Sequence, residues 1–150
     1  MFNTSYLRLI VVATVLALAS VALAADNPIL ERQKAMKKVG KAAKPMGQML
    51  RGAVEFDAAV VSASLQTFYD KSMVYGDLFP EGSETGDDTE AAPAIWSDRA
   101  GFEEAINNWR SATKAALDAN PQSLAEARPV VGPVFQTCKG CHDDYRIEKD

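Results

Sequence analysis

Both cysteines and the only histidine of this 150-residue chain fall within five consecutive positions, Cys138-Lys139-Gly140-Cys141-His142. On a helix, residues 138, 141 and 142 stand at i, i+3 and i+4 and share one face. The spacing C-x-x-C-H is the pattern of covalent haem c attachment, with two thioethers on the porphyrin edge and an imidazole on the iron. The competing readings lack support in the sequence. A redox C-x-x-C pair belongs at a helix start near a βαβ pattern, a zinc site wants about four ligands, and a structural disulfide leaves His142 unexplained.

The first segment reads as an address. Met1–Leu9 carries one positive charge, Arg8, followed by the apolar run Ile10–Val21 and the small-x-small site Ala22-Leu23-Ala24. Residues 1–24 are expected to be a cleaved signal peptide and residues 25–150 one domain, large enough for a single core. Export agrees with the haem motif, since c-type haem is attached outside the cytoplasm, so the expected location is the periplasm with no membrane anchor after cleavage. Removing Arg8 leaves 15 basic against 20 acidic residues, a net charge of −5. That balance argues against nucleic acid as a partner.

Apolar periodicity in the rest of the chain is helical throughout. Asn27-Pro28 reads as an N-cap and first helical residue; Leu30, Met36, Val39, Ala43, Met46 and Leu50 then form a stripe, with a kink or short break expected near Ala43–Lys44 ahead of Pro45. Gly40 and Gly47 leave room for either a flat cofactor or close helix packing. Asp57 caps a second helix whose stripe is Ala58, Val61, Leu65, Phe68, Ser72 and Tyr75, with Phe56 stapled on Val61. The stretch from Glu81 to Glu90 holds five acids and no base, which reads as a wet crossover. Pro93-Ala94-Ile95-Trp96 restarts helix, Asn120-Pro121 ends it, and Ser123 with Glu126 forms a capping box for the last helix. There Pro129 and Pro133 predict a bent or broken first half, with regular helix from about Pro133. Four amphipathic segments without strand alternation predict an all-α, antiparallel four-helix bundle.

These residues resemble the soluble class II cytochromes c, the family of cytochrome c′ and its low-spin relatives. The likeness runs through Arg32-Gln33-Lys34-Ala35-Met36-Lys37, Leu78-Phe79-Pro80-Glu81-Gly82-Ser83, Pro93-Ala94-Ile95-Trp96 and, most specifically, Cys138 to Arg146. It implies that Cys138 and Cys141 form the thioethers, that His142 is the proximal ligand, and that Arg146 lies close to the haem. It also implies that Arg32 is the basic residue near the propionates, and that Met36 faces the distal side of the iron as ligand or as apolar lid.

Two functions follow from the resemblance. The first is an electron carrier with iron held by His142 and Met36, serving an unspecified redox protein. The second is a five-coordinate protein that binds nitric oxide or carbon monoxide at an open distal site. With a single histidine, His/His ligation within one chain is excluded, and Met46, about 15 Å further along the helix, is the rival thioether. An enzyme of peroxidase type is not expected, because it needs a distal acid–base group and the only histidine is already used. A homodimer is compatible with this reading.

Overall fold

The computed structural model describes residues 27–148, and the proposed leader lies outside them. Helix α1 spans Pro28–Leu50, α2 Ala58–Val74, α3 Ala94–Ser97, α4 Arg99–Ala119 and α5 Leu124–Tyr145, with a 3-10 turn at Gly76–Leu78. The four long helices form the bundle, and α3 is a single turn at the end of the crossover. The caps sit where short polar side chains allow them. Asn27 accepts from the amides of Ile29 and Leu30, Asp57 from those of Ala59 and Val60, and Ser123 from that of Glu126. Glu126 completes the cap by accepting from the amide of Gln122, one residue earlier than a capping box requires. Asn120 ends α4 in the left-handed conformation with φ 43°, which asparagine tolerates better than most residues.

The core is the meeting of the apolar stripes. Met46, Val61, Leu65, Phe68, Phe102, Ile106, Ala116, Ala127, Val131 and Val134 are buried in one cluster. Met46 is completely enclosed there. Phe56 packs on the same cluster from the start of α2.

Three expectations are corrected. Helix α1 runs unbroken through Pro45, and α5 runs unbroken from Leu124 through Pro129 and Pro133. The carbonyls that lose a helical donor to these prolines belong to Lys41, Ala125 and Pro129, all at exposed positions open to solvent, so that losing the bond costs little and the buried face holds the helix together. The helix that restarts at Pro93 is interrupted. Asp98 leaves helical geometry with φ −125° and ψ 57°, and caps α4 by accepting from the amide of Gly101. Finally, Gly40 is exposed with open space where a Cβ would stand, whereas at Gly47 a Cβ would lie 3.9 Å from Phe135 and 3.3 Å from Arg51. The room at Gly47 therefore serves the approach of α5 to α1, the packing alternative.

Candidate haem site

A cavity of about 510 Å³ opens between α1, the crossover and the C-terminal end of α5. Helix α1 contributes Arg32, Gln33, Met36 and Lys37; α5 contributes Cys141, His142 and Tyr145, and Arg146 stands at its C-cap. Tyr75, Phe79, Ile95 and Phe102 form an apolar and aromatic wall, and Asp88 to Ala91 border the mouth. The rings interlock edge to face. Phe79 packs against Phe102 at 4.9 Å and Tyr75 at 5.2 Å between centroids, and Phe102 packs against Tyr145 at 5.3 Å.

Of the residues singled out from the sequence, Cys141, His142, Arg146, Arg32 and Met36 all border this cavity. Cys138 does not, although it is half-buried one turn before Cys141 on the same helix. The thiols are unpaired. Burial pushes the Cys141 thiol up to about 11, with Cys138 and Asp144 as lesser causes, and burial likewise raises Cys138. A redox or nucleophilic cysteine has the opposite property, a lowered pKa, so the electrostatics speak against a dithiol switch. Burial, helped by Arg146, lowers the His142 imidazole, which favours the neutral ring with a lone pair free for a metal.

Arg32 is only 3% exposed. One terminal nitrogen donates to the carbonyl of Leu78 at 3.3 Å and Ser83 Oγ at 3.0 Å, the other to the carbonyl of Ser83 at 2.7 Å and Thr89 Oγ1 at 2.8 Å. Its guanidinium carbon lies 4.7 Å from the centroid of Phe79 and 5.7 Å from that of Trp96, within cation–π range of both rings. Desolvation lowers its pKa. The side chain thus borders the cavity while its terminal nitrogens hold the crossover in place.

The structure adds residues that the sequence reading did not place at the site. Tyr75 was read only as part of the α2 stripe; it borders the cavity, and burial strongly raises its phenol pKa. Glu90 accepts from Arg146 Nε at 2.7 Å and lies 2.7 Å from its Nη2. The amide of Ile147 donates to the carbonyl of Glu90 and that of Ala92 to the carbonyl of Tyr145, so the crossover is clasped to the end of α5. No local sequence signal pairs Glu90 with a residue 56 positions away. Asp98 accepts from the hydroxyl of Tyr145 at 3.1 Å, and an aspartate before a helical run was the available clue to its capping role.

The residues fit a haem. The cavity is largely apolar, Cys141 and His142 border it from a single helix with Cys138 one turn before them, and the buried Arg32 stands in the wall with no carboxylate among the described residues in ion-pair contact. A helical bundle with this motif and cavity defines a c-type haem protein. The family model described as Cytochrome C' matches residues 27–146, and the chain belongs to that family, whose members carry covalently attached haem c. It is 38% identical to a cytochrome c′ of Rhodopseudomonas palustris over 144 residues, covering 95% of this chain and 98% of the relative. A solved cytochrome c′ structure from that species superimposes with a TM-score of 0.79 at 39% identity, over 83% of this chain and 98% of the other. A cytochrome c-556 of Agrobacterium fabrum is 30% identical over 128 residues, 85% and 86% of the two chains. A nitric oxide complex of a cytochrome c prime mutant from Alcaligenes xylosoxidans is similar with a TM-score of 0.70 at 28% identity, covering 81% and 94%.

Proposed function

We propose that the mature chain, residues 25–150 after removal of a leader at 1–24, is a periplasmic electron carrier. In this reading Cys138 and Cys141 hold the haem by thioethers, His142 is the proximal iron ligand and Met36 the second axial ligand. The observation that carries it is the placement of one thioether and one imidazole on different walls of the same cavity, Met36 on α1 and His142 on α5. The rival thioether, Met46, is enclosed in the core. A soft Met sulfur opposite a histidine favours ferrous iron and raises the potential, which suits a carrier. Likeness to a cytochrome c-556 as well as to cytochromes c′ accommodates this ligation. Visible spectra of the oxidised and reduced holoprotein test it. Wild type should be low-spin, and Met36→Ala should turn it high-spin and lower the potential.

A second reading has a specific observation behind it. One similar structure is a nitric oxide complex, and Met36, Ile95 and Phe102 give the cavity of this chain apolar sides suited to a small gas. Here Met36 is a lid over five-coordinate iron. Wild type would then be high-spin already, and Met36→Ala would mainly speed carbon monoxide binding.

A further inference from the structure

Helix α1 carries a run of cations that its packing does not use. Lys37, Lys38, Lys41 and Lys44 are all exposed and, at 100° per residue, fall within roughly 120° of the helix circumference. Among the described residues none of the four makes a hydrogen bond or ion pair. Several cations elsewhere on the surface are paired. Lys114 is paired with Asp118, Lys139 with Asp143, Arg99 with Glu103 and Arg146 with Glu90. Four uncompensated lysines on one face, in a chain whose formal net charge is −4, make a local field opposite in sign to that of the whole molecule.

The stripe is also in the right place. Lys37 borders the haem cavity, beside Gln33 and Met36, so the stripe begins at the mouth and runs away from it along α1. We propose that this face is the docking surface for a redox protein that presents a carboxylate-rich patch around its own electron-transfer site. The claim rests on the electron-carrier reading above and adds the chemistry of the partner. Contact through a lysine stripe that begins with Lys37 at the mouth brings the partner close to the haem edge, and dispersed ammonium groups give fast, salt-sensitive, short-lived association. An anionic bilayer fits less well. A helix lying on a membrane exposes an apolar row, whereas Ile29, Ala35, Val39, Met46 and Met49 of α1 are buried, and Leu30 is its one large exposed apolar side chain.

The test uses the holoprotein on two gold surfaces, one coated with a carboxylate-terminated monolayer and one with an amine-terminated monolayer. Adsorption is followed by microbalance and electron exchange by voltammetry. At low ionic strength the protein should prefer the carboxylate film despite its net negative charge. The adsorbed layer should release as salt rises past about 0.15 M, where charges are screened beyond about 8 Å. Lys38→Glu/Lys41→Glu, at two stripe positions that do not border the cavity, should cut adsorption at least tenfold with an unchanged visible spectrum, and Lys114→Glu, on α4, should leave it as in wild type. Preference for the amine film, or equal loss in both variants, would overturn the docking face. So would co-sedimentation with phosphatidylserine vesicles that the double reversal abolishes, which would reassign the stripe to a membrane. Failure of the carrier reading shows separately, as adsorption on carboxylate without electron exchange on either film.

Discussion

The C-x-x-C-H segment of α5 and the crossover from Phe79 to Ala92 border the same cavity, yet they are built in opposite ways. The first places two thiols and an imidazole by helix spacing alone, on a helix held by its own cap and its buried stripe. The crossover has no periodic structure and takes its shape from distant side chains. Arg32 reaches it from 51 to 57 positions away, Arg146 from 56, and Asn27 donates to Asp87 from 60. The residues proposed to hold the haem are concentrated in the local segment, whereas the shape and wall of the cavity depend on the non-local one.

Breaking the local segment has the largest expected effect. Cys138→Ala/Cys141→Ala should abolish covalent attachment altogether, because the 150-residue sequence contains no other cysteine; a haem-stained band after denaturing electrophoresis of the double variant would refute that. Breaking the non-local one should act on stability. Arg32→Ala strands four acceptors in or near the core and should cost roughly 2–4 kcal/mol, read by denaturant titration of the holoprotein. Amide exchange should show the crossover opening before α5 does, and uniform loss of protection would mean that the two regions are not separable.

Smaller changes sharpen the contrast. Pro133→Ala restores one backbone bond on the exposed side of α5 and should stabilise by roughly 0.5–2 kcal/mol, measured by thermal unfolding. A lower midpoint would show that the proline shapes the haem helix and is not simply tolerated there. Glu90→Gln removes a half-exposed ion pair and should cost less than about 1 kcal/mol, with the difference shrinking in salt. A larger loss would make the clasp between crossover and α5 a structural keystone on the scale of Arg32.

The sequence by itself determined whatever depends on residues a few positions apart. The C-x-x-C-H spacing defined the chemistry, the stripes defined helices and their buried faces, and Asn27, Asp57, Asn120 and Ser123 marked helix ends, because a cap bonds within three residues of itself. The prolines misled for the complementary reason. A proline removes a local bond, but whether a helix breaks there depends on how much apolar face is buried around it, and Pro129 and Pro133 lie on the solvent side of a helix whose Ala127, Val131 and Val134 are completely enclosed. Tertiary structure alone decided that Met36 faces the cavity and Met46 the core, that Arg32 spends its hydrogen bonds on the crossover, and that Glu90 meets Arg146. Each of those outcomes is set by which elements pack together, and contacts across 46 to 57 positions leave no periodic trace in the sequence.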